Sequence, residues 1–208
     1  RGTDRLSVVA GPAATLAAEG PAQANAGQAI QVTATGEDDF GNPLGDVTSN
    51  LTLSMVPGEG SCSGSSCTPT LAGSRSISAS FGSARDQVPV NVVPGSLASI
   101  TAEGPGQVMA GEPIEVTVTG ADQFGNPLGE PGAGQVTLSV SPDGACSASS
   151  CTAQASGPHT VTAGVQTASD TIDVSVLPGP PQSIQVQLPE GSTAGVPFPV
   201  SAVVRDEF

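Results

Sequence analysis

Four cysteines stand in two pairs of equal spacing. Cys62-x4-Cys67 lies in GSCSGSSCT and Cys146-x4-Cys151 in GACSASSCT. Three chemistries are open to them. An even pair at hairpin spacing can close a disulfide within its own segment. A tetrahedral zinc site needs about four ligands, and each pair offers two thiols with no neighbouring His. Reduced thiols of a cytosolic protein are the third reading. Oxidised pairs would place the chain in an oxidising compartment: cell surface, extracellular space or periplasm. They would also pin a Ser/Gly-rich hairpin. C-x4-C is not the C-x-x-C of oxidoreductases, which weakens a redox role.

Other reactive residues are sparse. Hydrolysis through a serine needs a positioned base. The one histidine, His159, sits in a strand-like stretch and reads as a surface residue. No motif pairs two carboxylates, and no phosphate-cradling glycine loop is present, so no catalytic residue is assigned and the chain reads as a non-enzyme. Glu37, Asp38 and Asp39 cluster before a turn, as do Asp206 and Glu207. Calcium takes several oxygen ligands; the second copy of this turn keeps only Asp122, which favours a solvated acidic turn. No metal and no cofactor is assigned. Asn50-Leu51-Thr52 is an N-glycosylation sequon placed where a loop enters a strand. Its use depends on a eukaryotic secretory route.

What positions these residues is a repeat. Gly27–Gly45 reads GQAIQVTATGEDDFGNPLG and Gly111–Gly129 reads GEPIEVTVTGADQFGNPLG, 84 residues apart and identical at 13 of 19 positions. The same offset carries Cys62 and Cys67 onto Cys146 and Cys151, and Pro94-Gly95 onto Pro178-Gly179. A further copy opens at Gly179, and Leu6-Ser7-Val8-Val9 matches Val90-Asn91-Val92-Val93. The expected division is residues 1–10 as the last strand of a preceding repeat, 11–94 and 95–178 as complete repeats, and 179–208 as the opening strands of a truncated one. A unit of this length can be a domain by itself.

Within each repeat the apolar residues alternate, as half-buried antiparallel strands require. Ile30, Val32 and Ala34 face inward, as do Ile114, Val116 and Val118. Leu51, Leu53 and Met55 correspond to Val136, Leu138 and Val140; Ile77, Ala79 and Phe81 to Val161, Ala163 and Val165; Val88, Val90 and Val92 to Ile172, Val174 and Val176. Asn42-Pro43-Leu44-Gly45 and Asn126-Pro127-Leu128-Gly129 suit a type I turn. Pro89 argues for an edge or a bulge in its strand. Short strands between regular turn signals predict a β-sandwich. The joints Val93-Pro94-Gly95 and Leu177-Pro178-Gly179-Pro180-Pro181 are short and stiffened by Pro, so a semi-rigid rod is expected.

Composition removes several functions. The chain carries 19 acidic and five basic residues, a net charge of −14, and no Lys, Tyr or Trp. Nucleic acid binding needs clustered Lys and Arg, and an acidic surface is repelled by anionic membranes. No apolar run is long enough to span a bilayer. Gly and Pro, 27 and 19 residues, stay below the level that signals disorder.

Gly95–Gly106 followed by Ala110–Val118, and Thr68–Gly82 followed by Val88–Gly95, resemble the opening and closing halves of a filamin-type immunoglobulin-like repeat. The D-x-F-G-N-P stretches at Asp38–Pro43 and Asp122–Pro127 are similar to invasin-type bacterial repeats. The resemblance covers nearly the whole chain and implies an all-β protein of tandem immunoglobulin-like (filamin-type) β-sandwich domains in a linear array. Filamin repeats recruit partners by adding a peptide strand at a sheet edge, and related repeats occur in surface proteins of bacteria and green algae. The cysteine pairs and the absence of Lys and Tyr depart from cytosolic filamins. The reading is a structural and adhesive spacer of a large extracellular or cell-surface protein. Its partners would be neighbouring repeats of the same chain, with other copies in a surface assembly or another surface protein as further candidates, and neither nucleic acid nor direct membrane insertion. The alternative is a binding module whose sheet edge or loop face captures a peptide, a glycan or a partner-cell protein. An accessory segment of a secreted enzyme is a third reading.

Overall fold

The computed structural model describes residues 6–132, 134–147 and 149–208. Two compact units divide it. The first takes in Arg1–Ser96 together with Ala121–Pro127; the second takes in Leu97–Gly120 and Leu128–Phe208. The first unit therefore includes the D-x-F-G-N-P segment of the second sequence repeat, and the second unit includes residues 179–208. Of the N-terminal strand expected over 1–10, residues 1–5 lie outside the described residues. Residues 6–10 form no strand, and Leu6, Val8 and Val9 are exposed.

In the first unit ten strands follow one another: β1 (Thr15–Glu19), β2 (Gln23–Asn25), β3 (Ile30–Gln31), β4 (Thr33–Glu37), β5 (Pro43–Asp46), β6 (Thr52–Val56), β7 (Gly60–Ser63), β8 (Ser66–Pro69), β9 (Gly73–Phe81) and β10 (Ala84–Val93). A 3-10 turn, Thr48–Asn50, leads into β6. One layer holds the orders β1-β4-β5 and β3-β8-β7; the facing layer is β2-β10-β9-β6. The second repeat gives β11 (Leu97–Glu103), β12 (Gln107–Met109), β13 (Pro113–Glu115), β14 (Thr117–Asp122), β15 (Pro127–Gly129), β16 (Val136–Ser141), β17 (Ala145–Ser147), β18 (Ser150–Thr152), β19 (Gly157–Val165) and β20 (Ala168–Leu177), in the same sheet orders. The strands β21 (Ser183–Gln187) and β22 (Ser201–Arg205) pair antiparallel. Their register, Ser183↔Arg205, is the Thr15↔Glu37 register of β1 and β4 moved by two repeat lengths.

Alternation along the strands builds one core per unit. Ile30, Val32, Ile77, Ala79, Val88, Val90 and Val92 are buried in the first; Ile114, Val161, Ala163, Val165, Val174 and Val176 in the second. Asp86 on β10 reaches across to accept from the Ala18 N–H at 2.8 Å, and Asp170 repeats the contact with Ala102 at 2.9 Å. Each carboxylate thereby satisfies a strand donor that no neighbouring strand serves.

Two local expectations are corrected. The chain reversal lies four residues before Asn42–Gly45. The Gly41 N–H donates to the Asp38 carbonyl at 3.0 Å, Gly41 has φ +78°, and Pro43 already belongs to the returning strand. Gly125 does the same with Asp122, at φ +81°. The Asp side chain seeds this earlier turn by accepting from the following amides, as Asx turns do. Pro89 sits in an inner strand with unbroken register, opposite Ser76. It is tolerated because β2 pairs only Asn91–Val93. The Asn91 N–H points to that side, at Ala22. Two residues back, the side from which the Pro89 N–H is missing has no ladder to serve.

Candidate functional site

Two features recur with the repeat: a clipped cysteine hairpin and an aspartate-centred loop. The hairpin is β7–β8, with Cys62 directly opposite Cys67; in the second unit it is β17–β18, with Cys146 opposite Cys151. Both pairs are disulfide-bonded, with Sγ–Sγ distances of 2.06 and 2.02 Å and Cα–Cα separations of 4.0 Å. Cys67 and Cys151 are fully buried and their partners pack against the same cores. In a chain without Tyr or Trp, the cystine is part of the hydrophobic filling as well as a clip. Replacing Cys62 and Cys67 together by Ala is expected to lower the stability of the first unit by about 2 kcal/mol, the entropic value for so short a loop. Urea unfolding monitored by the Ile77 and Val90 amide signals checks this.

A side-chain pair braces each hairpin. In the second unit His159 is buried, its Nε2 is 2.5 Å from Asp143 Oδ1 and its Nδ1 is 3.2 Å from the Gly157 carbonyl. The surface reading of His159 is corrected: the side chain turns inward because a carboxylate meets it there. Both ring nitrogens are engaged, so neither is left to activate a nucleophile. Asp143 also accepts from the Gln154 and Ala155 N–H groups. The His159 hydrogen bond, then these two amides, hold its carboxyl at about 2. In the first unit Arg75 and Glu59 occupy the same places, 3.8 Å apart, and Arg75 also donates to the Leu71 and Ala72 carbonyls. The sequence reading missed this pairing. Its signal was the joint change of Glu59 to Asp143 and Arg75 to His159, each 84 residues apart.

The second feature explains the D-x-F-G-N-P stretch. Asp38 Oδ2 accepts from the Gly11 N–H and from Asn42 Nδ2, and its Oδ1 accepts from the Phe40 and Asn42 N–H groups, all at 2.9 Å. Asp122 repeats every bond, with Gly95, Phe124 and Asn126 at 2.7–2.9 Å. Asp206 repeats those to Gly179 and Phe208. The linker glycines Gly95 and Gly179 thus have their N–H groups anchored by an aspartate. Burial alone would raise the Asp122 carboxyl, but the Asn126 side chain and the Gly95, Asn126 and Phe124 amides outweigh it and hold it at about 2. The Asn42 side chain, with the Gly11, Asn42 and Phe40 amides, takes Asp38 well below the usual carboxylate range. Asp38 is therefore not a solvated acid of the turn but the centre of a knot of hydrogen bonds.

Within the first unit Asn126 goes further. It is fully buried, its Oδ1 accepts from the Ala72 N–H at 2.8 Å and its Nδ2 donates to the Thr70 carbonyl at 2.8 Å. The Phe124 ring lies over Gly27, where an added Cβ would stand 2.8 Å from the ring edge. Gly27, at φ +82°, is therefore required by the contact as well as by its backbone. Phe208 lies over Gly111 in the same way in the second unit. Asn50 of the sequon ends the 3-10 turn and is exposed.

These features define an all-β protein built on immunoglobulin-like β-sandwich units. No protein-family model matches the chain, and no curated protein matches it. Among solved structures it is similar to the S-layer protein SbsC, at 22% identity over 86% of this chain and 30% of that one, with a TM-score of 0.36. Domains 4 and 5 of SbsC align at 20% identity over 80% of this chain and 100% of theirs, with a TM-score of 0.36. The titin domains z1z2, solved in complex with telethonin, align at 16% identity over 79% of this chain and 96% of theirs, with a TM-score of 0.24. The chain spans about 30% of the first of these structures. None of the three is a filamin or an invasin. No helix among the described residues is long and apolar enough to cross a membrane.

Proposed function

We propose that this chain is a non-catalytic structural and adhesive spacer of a large extracellular surface protein, made of tandem filamin-type or invasin-like domains. The observation that carries the reading is the recurrence of a whole mechanical unit: sandwich, cystine hairpin, side-chain brace and aspartate knot return together at one offset. A binding protein selects one surface, whereas here it is the internal fastenings that repeat. The disulfides support an oxidising compartment. The exposed Asn50 supports a glycan there if the chain follows a eukaryotic secretory route. Neighbouring domains of the same protein are its first partners, and other copies in a surface assembly its second.

Peptide mass mapping of native material, alkylated before reduction, tests the compartment. The expected result is Cys62 linked to Cys67, Cys146 linked to Cys151, and no alkylated thiol. Four free thiols in freshly isolated protein would remove the extracellular reading. The same map reports any sugar on Asn50.

A further inference from the structure

The aspartate knot is built twice to the same dimensions, yet its two tips meet different surroundings. Asp38 and Asp122 hold their loops with matching bonds, and the reversing glycines Gly41 and Gly125 have φ +78° and +81°. The residues of the second loop belong to the first unit. There Asn126 is 1% exposed, and its amide takes up the Ala72 N–H and the Thr70 carbonyl. Phe124, over Gly27, is 39% exposed. The first loop has the same shape and no such seat. Phe40 is 89% exposed. Asn42 is exposed too, and among the described residues its side-chain amide bonds only Asp38. A chain with five Phe and no Tyr or Trp thus holds one ring in water, at the tip of a loop that hydrogen bonds have already fixed.

We propose that Phe40 and Asn42 are the docking residues for another sandwich unit of this same kind. The ring rests on that unit's counterpart of Gly27, and the Asn42 amide bonds its counterparts of Thr70 and Ala72. The closure of the first unit by Phe124 and Asn126 is the template. The groups that receive these two residues do not depend on side-chain identity: they are a carbonyl, an N–H and a glycine at positive φ. Repeats keep all three while their surfaces change. Gln154 and Ser156 stand 84 residues after Thr70 and Ala72, and Gly27, Gly111 and Gly195 have φ +82°, +81° and +81°. Docking removes apolar ring surface from water. It costs little ordering, because the Asp38 loop already has the form that Asp122 gives the seated one. A second copy of this chain is not the occupant. Its Gly27 and Gly111 are covered by Phe124 and Phe208, and a net charge of −14 opposes the encounter. A unit tethered in the same chain overcomes that repulsion through its high effective concentration. This contact rests on the tandem-domain reading above and gives the atoms that hold a neighbouring domain.

The test compares the 208-residue chain with an extended one in which residues 1–10 are replaced by a copy of residues 11–94, so that Gly11 follows Pro94 as Gly95 does. In the extended chain, relaxation of the Phe40 ring protons by a soluble gadolinium chelate should fall to the rate of Phe124 in the same sample. Exchange of the Asn42 side-chain amide should slow at least about tenfold. Asn42→Ala in the extended chain should speed exchange of the Ala72 amide of the added copy at least about tenfold. The original Ala72, held by Asn126, is the internal control and should not change. Phe40→Ala leaves the hydrogen bonds to Asp38 in place and should speed the same exchange roughly threefold. A Phe40 ring as exposed in the extended chain as in the 208-residue one, with the Ile77 amides of both copies protected, would overturn the proposal. So would an added Ala72 that does not respond to Asn42→Ala. Either failure leaves the disulfide map unaffected, and free thiols in that map would leave this contact standing, so the two readings fail separately.

Discussion

Asp122→Ala is expected to destabilise the protein by about 3 kcal/mol, because it strands four hydrogen-bond donors at once. They are the N–H groups of Gly95, Phe124 and Asn126 and the Asn126 side-chain amide. Asn126 is itself buried and can find no water to replace the carboxylate. A surface aspartate would cost a few tenths of that. The sign of the pH effect follows from the lowered carboxyl. A group at about 2 in the folded protein and near 3.9 when unfolded contributes its full stability above the unfolded value. That stability is lost as the pH falls through the folded one. Asp143 acts in the same direction, and Asp38 loses its contribution at still lower pH. The midpoint of urea unfolding should therefore fall steadily from about pH 4 to about pH 2, and less steeply in Asp122→Ala. Equal slopes in variant and parent would show that the knot contributes nothing.

Ile77→Ala should cost about 3 kcal/mol, within the usual range for an aliphatic side chain deleted from a core. Ile77 is fully buried on β9, opposite Met55 on β6 and Val88 on β10. The neighbours that would have to collapse into the gap are themselves held in sheet register, so the cavity persists. The loss is a large fraction of the 5–15 kcal/mol available to a domain, and this core has no Trp or Tyr to share the load. Val56→Ala, on a half-exposed strand position, is the control and should cost well under about 1 kcal/mol. A similar small loss at Ile77 would mean that the two layers do not pack on each other.

The alternation of Ile30, Val32 and Ala34, and of Val88, Val90 and Val92, carried the strands and their inward faces directly into the structure. A side chain's face in a strand depends only on the parity of its position. The turn at Asp38–Gly41 was less legible. Asn-Pro-Leu-Gly is good turn chemistry in isolation, and only the Asp38 carboxylate, bonded to Phe40, Asn42 and the distant Gly11, moved the reversal upstream. His159 was misread for the same kind of reason. Nothing local to a lone histidine in a strand says that a carboxylate 16 residues earlier will sit against its Nε2.

The order of residues by itself determined the period of the chain, the class of its fold and the pairing distance of its cysteines. All of these rest on local periodicity or spacing. Only the tertiary structure decided that the aspartate of the repeated motif is a hydrogen-bond hub, and that a carboxylate meets Arg75 beside one cystine hairpin and His159 beside the other. Those depend on contacts between residues far apart in sequence. Whether a carboxylate is solvated or knotted is set by which donors the fold delivers to it, and a chain read in one dimension does not carry that distance.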